Sequence, residues 1–243
     1  MFNKYRTEAV ILDKADRGEA DQIFTVYSKD YGRIEVSARG IRKMASKLRA
    51  ATQVMSLCDV EFIQGKNFKT LTDSLCENRF DTARADLKKI AAFVNISKLT
   101  AKLLKNSERD GRVWNLLTET LFCLEESQTE AADAIEHSYC WNLLSVLGWR
   151  PGLEVCCACG LELALPGSSF IWSEKGIACH DCSKKFSRSH AVGADILNLL
   201  RIVSHSAPSD IGALRISPFQ DKALRVLEDN YFQAVIGVTR EYE

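Results

Sequence analysis

The chain has no apolar run long enough to cross a bilayer, and its opening decapeptide, MFNKYRTEAV, lacks the apolar stretch of a signal peptide. A cytoplasmic protein with no membrane partner is expected on both counts. Low-complexity tracts are absent, which argues against a disordered chain. Neither sign of charge is in surplus, since 32 basic residues stand against 32 acidic ones. A zero total does not exclude nucleic acid, because screening confines charge effects to about 10 Å and only the local distribution counts. Catalytic signatures are missing too: there is no Gly-rich phosphate loop, no Gly-x-Ser-x-Gly elbow and no HExxH. None of His137, His180, His190 and His205 has Glu two residues later, so the zinc-deaminase pattern is excluded. No enzymatic constellation emerges, and a non-enzyme is expected.

What is present is ordinary globular composition. The 243 residues are 46% hydrophobic and 26% charged, enough for a real core. The first 80 residues read as β-structure. TEAVIL (7–12), QIFTVYS (22–28) and RIEVSA (33–38) are short runs rich in apolar and β-branched residues, and Lys29-Asp30-Tyr31-Gly32 turns the second into the third. Residues 54–63 and 68–77 form a second pair joined by Gln64-Gly65-Lys66-Asn67. Five strands in about 80 residues fit a small barrel or sandwich. From residue 82 the apolar period becomes helical, predicting helices at about 83–105, 111–126, 130–148, 192–204 and 219–237. Asp110-Gly111 separates the first two, and Gly148 with Pro151-Gly152 ends the third. The fold class is α+β: a β-module, then a helical bundle interrupted by a cysteine-rich insert.

Nine cysteines in a cytoplasmic chain are not a disulfide framework. Cys58, Cys76, Cys123 and Cys140 are isolated among apolar neighbours and read as core filler. The other five crowd into 27 residues. Cys156-x2-Cys159 is followed after 19 residues by Cys179-x2-Cys182, which is four-cysteine zinc spacing. Two intervening residues let a tight turn present both sulfurs to one ion at about 2.3 Å, and Gly160 can take the positive φ such turns need. Four thiolates leave no open position, so one zinc ion here is structural. Cys157 is a rival ligand spaced one residue too short, and His180 between the second pair could replace a thiolate. The bland alternatives are reduced core cysteines or a CxxC redox pair.

Between Val36 and Cys58 there is no acidic residue, while Arg39, Arg42, Lys43, Lys47 and Arg49 fall within it and Arg33 just before it. On a five-stranded barrel such a loop edges the nucleic-acid groove, and each cation can displace a counterion from phosphate. The plain alternative is a solvated surface loop. Phe24, Tyr27 and Tyr31 are nearby aromatics that read as core or turn packing before base stacking. Five carboxylates between Glu125 and Glu136, with no cation among them, read as a solvated helix end and turn.

Taken in order, TEAVILDKADRGEADQIFTVYSKDYGRIEVSARGIRK, LLSVLGWRPGLEVCCACG and SSFIWSEKGIACHDC resemble the bacterial recombination mediator family RecO from end to end. The resemblance implies an N-terminal five-stranded OB-fold barrel at 1–80, a helical domain at 81–152 and 188–243, and a zinc-ribbon-like insert at 153–187. It implies a DNA repair protein that binds single- and double-stranded DNA and anneals complementary strands. With a RecR-type partner such a protein helps load RecA-type recombinase, and it contacts the acidic, apolar C-terminal tail of single-strand-binding protein. Within that match Arg39, Arg42 and Lys43 lead as phosphate contacts, followed by Arg33, Lys47 and Arg49, with Lys4 and Arg6 extending the patch. A zinc-ribbon protein–protein adaptor and an unrecognised metalloenzyme are the competing classes.

Overall fold

The computed structural model describes residues 3–44, 46–66, 68–104, 109–163 and 167–237. Asn67 of the second turn, residue 105 of the first expected helix, residues 164–166 of the insert and the last six residues lie outside them. The chain divides into two compact units, Met1–Glu126 and Ser127–Tyr242.

In the first unit, β1 (Lys4–Arg17), β2 (Asp21–Ser28), β3 (Gly32–Ala38), β4 (Leu57–Gln64) and β5 (Lys69–Asn78) close into a barrel in the order β1-β2-β3-β5-β4. A short helix, α1 (Leu48–Ala51), lies in the connector between β3 and β4. This is the OB-fold architecture. All pairings are antiparallel except β3 with β5. Alternation along the strands sends Phe24 and Val26, Ile34, Val36 and Ala38, and Cys58, Val60 and Phe62 into one core with Ala9, Ile11 and Leu71. The first strand is longer than TEAVIL suggests. Its early half pairs with β4 and its later half with β2, and a register shift between Ile11 and Asp13 bends it from one neighbour to the other.

Three helices complete this unit: α2 (Asp81–Arg84), α3 (Leu87–Leu103) and α4 (Gly111–Glu126). The single helix expected from residue 83 is thus broken. Asp86 accepts hydrogen bonds from the Lys88 and Lys89 amides and starts a new helix. Glu125, at the far end of α4, accepts from the amides of Thr82 at 3.0 Å and Ala83 at 2.8 Å and so caps α2.

The second unit holds α5 (Ala132–Val146), a three-stranded sheet of β6 (Ser169–Ile171), β7 (Gly176–Ala178) and β8 (Ser189–Ala191), the short α6 (His180–Ser183), α7 (Ala194–His205) and α8 (Pro218–Ile236). Because β8 pairs with β6, the small sheet extends to Ala191. Helix α8 starts on a Ser217–Gln220 capping box with Pro218 in its first turn, and it stops at Gly237 in the left-handed region. No helix among the described residues is long and apolar enough to cross a membrane.

Candidate nucleic-acid interface and metal centre

The connector leaving β3 is tied down at both ends. At its start Gly40, with φ of +63°, donates its N–H to the Asp21 carboxylate at 2.7 Å, and the Arg42 amide donates to the Ala20 carbonyl at 3.0 Å. Both partners belong to the β1–β2 turn region. At its end the Arg84 guanidinium donates to the carbonyl oxygens of Val54 and Met55. Thr52 and Met55 are buried there, and the Ile11 backbone exchanges hydrogen bonds with Met55 and Ser56. Lys43, Lys47 and Arg49 lie between these anchors and are exposed.

They are not equally available. Arg39, Lys43, Lys47 and Arg49 are exposed and form no ion pair among the described residues. Arg42 pairs with Asp16 at 3.2 Å, both groups half-exposed. Arg33 differs: its side chain is only 14% exposed and lies 2.9 Å from Glu35. Lys4 and Arg6 pair across the β1–β4 seam with Glu61 at 3.0 Å and Asp59 at 2.9 Å. Beneath the connector lies a cleft of about 780 Å³ lined by the cations Lys14, Arg42, Arg49 and Arg84, with Gln22, Ser46, Thr52 and Gln53 among the other residues and no carboxylate. Three separate segments supply its charge. Neither Lys14 nor Arg84 is a candidate in sequence, because each is an unremarkable cation until the barrel closes. Phe24 and Tyr27 are fully buried, and Tyr31 packs edge-on against Tyr5 and Phe62, as core and turn packing requires.

In the second unit the sulfurs of Cys156, Cys159, Cys179 and Cys182 lie within 4.8 Å of one another. Gly160 takes φ of +72° directly after the first pair, and its amide donates back to the Cys156 carbonyl at 2.9 Å. The second pair sits at the start of α6, where the Ser183 amide donates to the Cys179 carbonyl at 2.9 Å. Burial pushes the Cys156 thiol up, but the amides of Cys179, Ala158 and Cys159 outweigh it and bring the group down to about 6. Amide donors aimed at sulfur favour the thiolate that a metal requires. Cys157 and His180 stand outside this group. Cys157 backs onto Gly176, whose added Cβ would come within 3.4 Å, and His180 backs onto Gly167 at 3.2 Å. The four thiols could hold one metal ion, with a closed donor set.

The reading of residues 125–136 as a solvated helix end is corrected. Glu125 is a helix cap, and Asp133 and Glu136 belong to a buried charge network joining α5 to α8. Glu136 accepts from Arg225 at 2.9 Å, and Asp133 lies 3.8 Å from the same guanidinium. Fully buried His137 contacts Glu228 at 2.7 Å and Asp221 at 3.0 Å, and Arg225 lies 3.0 Å from Asp221. The α5–α8 partners sit 84 to 92 residues apart, so no local pattern announces them.

A closed OB-fold barrel carrying a cationic connector in the first unit, and a four-thiol centre in the second, define the class of protein as a two-unit OB-fold protein with a candidate metal centre. Two family descriptions match in tandem: "Recombination protein O N terminal" over residues 1–79 and "Recombination protein O C terminal" over residues 84–240. Relatives named "DNA repair protein RecO" include that of Roseiflexus sp. (strain RS-1), 34% identical over 215 residues, covering 88% of this chain and 75% of the relative. Those of Halalkalibacterium halodurans and Bacillus mycoides are each 26% identical across 98% of this chain, covering 91% and 94% of the relatives. The chain belongs to the RecO family of recombination mediators.

Proposed function

We propose that this protein is a cytoplasmic DNA repair mediator that binds single- and double-stranded DNA through the β3–β4 connector, anneals complementary strands and, with a RecR-type partner, helps load RecA-type recombinase. The observation that carries the reading is the connector itself. Arg39, Lys43, Lys47 and Arg49 are exposed and form no ion pair among the described residues, and the cleft beside them is lined by Lys14, Arg42, Arg49 and Arg84 with no carboxylate among its lining residues. Annealing brings two polyanions together, and fixed cations lower that repulsion. No covalent bond in the DNA breaks, so no nucleophile or general base is needed. Arg39, Lys43, Lys47 and Arg49 are the leading phosphate contacts, Arg42 joins them by releasing Asp16, and Arg33 contributes least because Glu35 holds it. The four cysteines hold zinc, which cross-links the two knuckles and supports the fold.

The test is charge reversal of Arg39, Arg42 and Lys43 together. Binding of labelled single-stranded DNA across a salt series should weaken, and the slope of log affinity against log salt should become shallower by roughly 2. Unchanged affinity and slope would make the connector incidental and favour a zinc-ribbon adaptor that acts through protein contacts.

The tail of single-strand-binding protein, acidic and apolar, is assigned to a groove of about 370 Å³ in the second unit. Ile196, Phe219, Val226 and Leu227 supply its apolar wall, and Lys222 and His190 stand at its edge. Phe219 is exposed, which suits an apolar terminal residue. Lys222→Glu should weaken binding of a labelled tail peptide about tenfold while single-strand affinity holds. Anisotropy titrations that show no change for Lys222→Glu or Phe219→Ala would remove the groove from the reading.

A further inference from the structure

The β4–β5 turn is set by its backbone. The Gly65 amide donates to the Phe68 carbonyl at 3.0 Å, and a Cβ at Gly65 would come 2.8 Å from that same oxygen. Only glycine closes the turn without a shift, so the place of Phe68 is fixed by the chain and not by packing of its ring. The ring is indeed not packed away, for Phe68 is 53% exposed. What it does have is a cation. The Arg17 guanidinium carbon lies 4.3 Å from the ring centroid, at the end of β1, so the β1–β2 and β4–β5 loops meet at this ring.

Strand register places that meeting point beside the cationic connector. Lys69 pairs with Val36, and Asp21 pairs with Arg17, while Gly40 and Arg42 bond back to Asp21 and Ala20. In five-stranded barrels of this kind the β1–β2 and β4–β5 loops border the oligonucleotide face. Phe24 and Tyr27 are buried and cannot serve there, and Tyr31 is occupied by Tyr5 and Phe62.

We propose that Phe68, with Arg17 held against it, is a base-stacking platform that receives an unpaired nucleobase of a single strand. The inference rests on the DNA-binding reading above and adds what phosphate contacts cannot supply. Backbone cations grip one strand or two alike. A ring can stack only on a base whose face is free, and a duplex buries those faces in its own stack. Every base has such a face, so the platform selects strandedness and not sequence.

The experiment compares the full-length protein with Phe68→Ala and Phe68→Trp, using an oligothymidylate and a duplex of equal length over a salt series. Phe68→Ala should lose on the order of five- to a hundredfold in single-strand affinity, with duplex affinity and salt slope kept. Phe68→Trp should bind like the parent and show tryptophan quenching on adding the oligothymidylate beyond any seen in the parent. Equal loss on both DNAs would overturn the proposal, as would no loss on either or an unquenched tryptophan. A Phe68→Ala variant that binds DNA normally but loses a protein partner would mark the ring as a protein contact and also overturn it. If the triple connector reversal weakens binding and Phe68→Ala does not, the platform falls while the DNA reading stands. If neither weakens it, the DNA reading itself falls.

Discussion

Cys182→Ser is expected to abolish metal binding by the four-thiol centre and to unfold the segment around the short sheet, while the barrel keeps its shape and any DNA affinity measured for the parent is unchanged. The segment is too small to hold itself together without the cross-link. Its sheet has strands of three residues each, and its core is little more than Phe170, Ile171, Ile177 and Ala178. Metal binding contributes on the order of 10 kcal/mol in four-ligand zinc peptides, as much as the stability of many whole domains. Removing one of four thiolates leaves three that repel one another and have no partner of opposite charge. The measurements are metal content of freshly purified protein, expected at one zinc per chain, and limited proteolysis, expected to cut the variant near the sheet. A parent protein purified without metal, or a variant that keeps it, would refute the assignment. Loss of an enzymatic turnover with the segment still folded would instead support the metalloenzyme class.

Arg225→Met and His137→Leu should each destabilise the second unit by about 3–5 kcal/mol, the next largest effect. Arg225 faces Glu136, Asp133 and Asp221, and Glu136 is almost fully buried. His137 has no exposed surface and lies between Glu228 and Asp221. Truncating either cation removes one of the two positive groups that Glu136, Glu228 and Asp221 face and leaves the remaining one to balance them. Replacing His137 and Glu228 together by leucine should cost less than the two single changes summed, because the two side chains contact each other directly at 2.7 Å and are therefore coupled. Urea melts would read all of these. A His137→Leu protein within about 1 kcal/mol of the parent would show the network to be dispensable.

The same network sets a pH dependence. Burial alone would lower the His137 pKa, but Glu228 and Asp221 outweigh it and raise it from 6.5 to about 9. A raised folded-state value means stability that is complete below pH 6.5 and lost as pH climbs through 9, by about 3 kcal/mol in all. Asp221 moves the other way. Burial would raise it, but His137 and Arg225 bring it down to about 2, so its contribution is present above pH 3.8 and lost as pH falls through 2. The network therefore supports the fold most fully between about pH 4 and 6.5. His137→Leu should flatten the alkaline side of the stability curve, and an unchanged slope between pH 6.5 and 9 would contradict this account.

Much of the fold was legible because it is local. Strand alternation gave the barrel strands to within a few residues, and the helix at 111–126 has the expected ends. The zinc-type quartet was legible for the same reason, since a knuckle is a turn and two short spacings encode it. What could not be read depends on closure. Four of residues 13–17 are charged and the segment carries no strand signal, yet β1 continues through it because β2 extends alongside. The break at Asp86 hid inside an apolar period that continues across it. Lys14 and Arg84 face the connector cleft only once three segments converge, and Phe68 looks like any strand-entry aromatic until its turn is seen to hold it outward.

The parallel seam also dictates an order of assembly. Pairing of Val36 with Lys69 and Ser37 with Thr70 seals the barrel, so a growing chain must wait for its fifth strand. Until residues 57–78 emerge, the first three strands form an open meander with the β3 edge and the early part of β1 unpaired. Such edges invite neighbouring nascent chains to add on. The run of five cations without a carboxylate that follows Ala38 stands directly after that open edge. Lys and Arg flanking an apolar strand act as gatekeepers against intermolecular pairing. The connector cations thus stand where charge opposes edge-to-edge pairing of a half-made barrel.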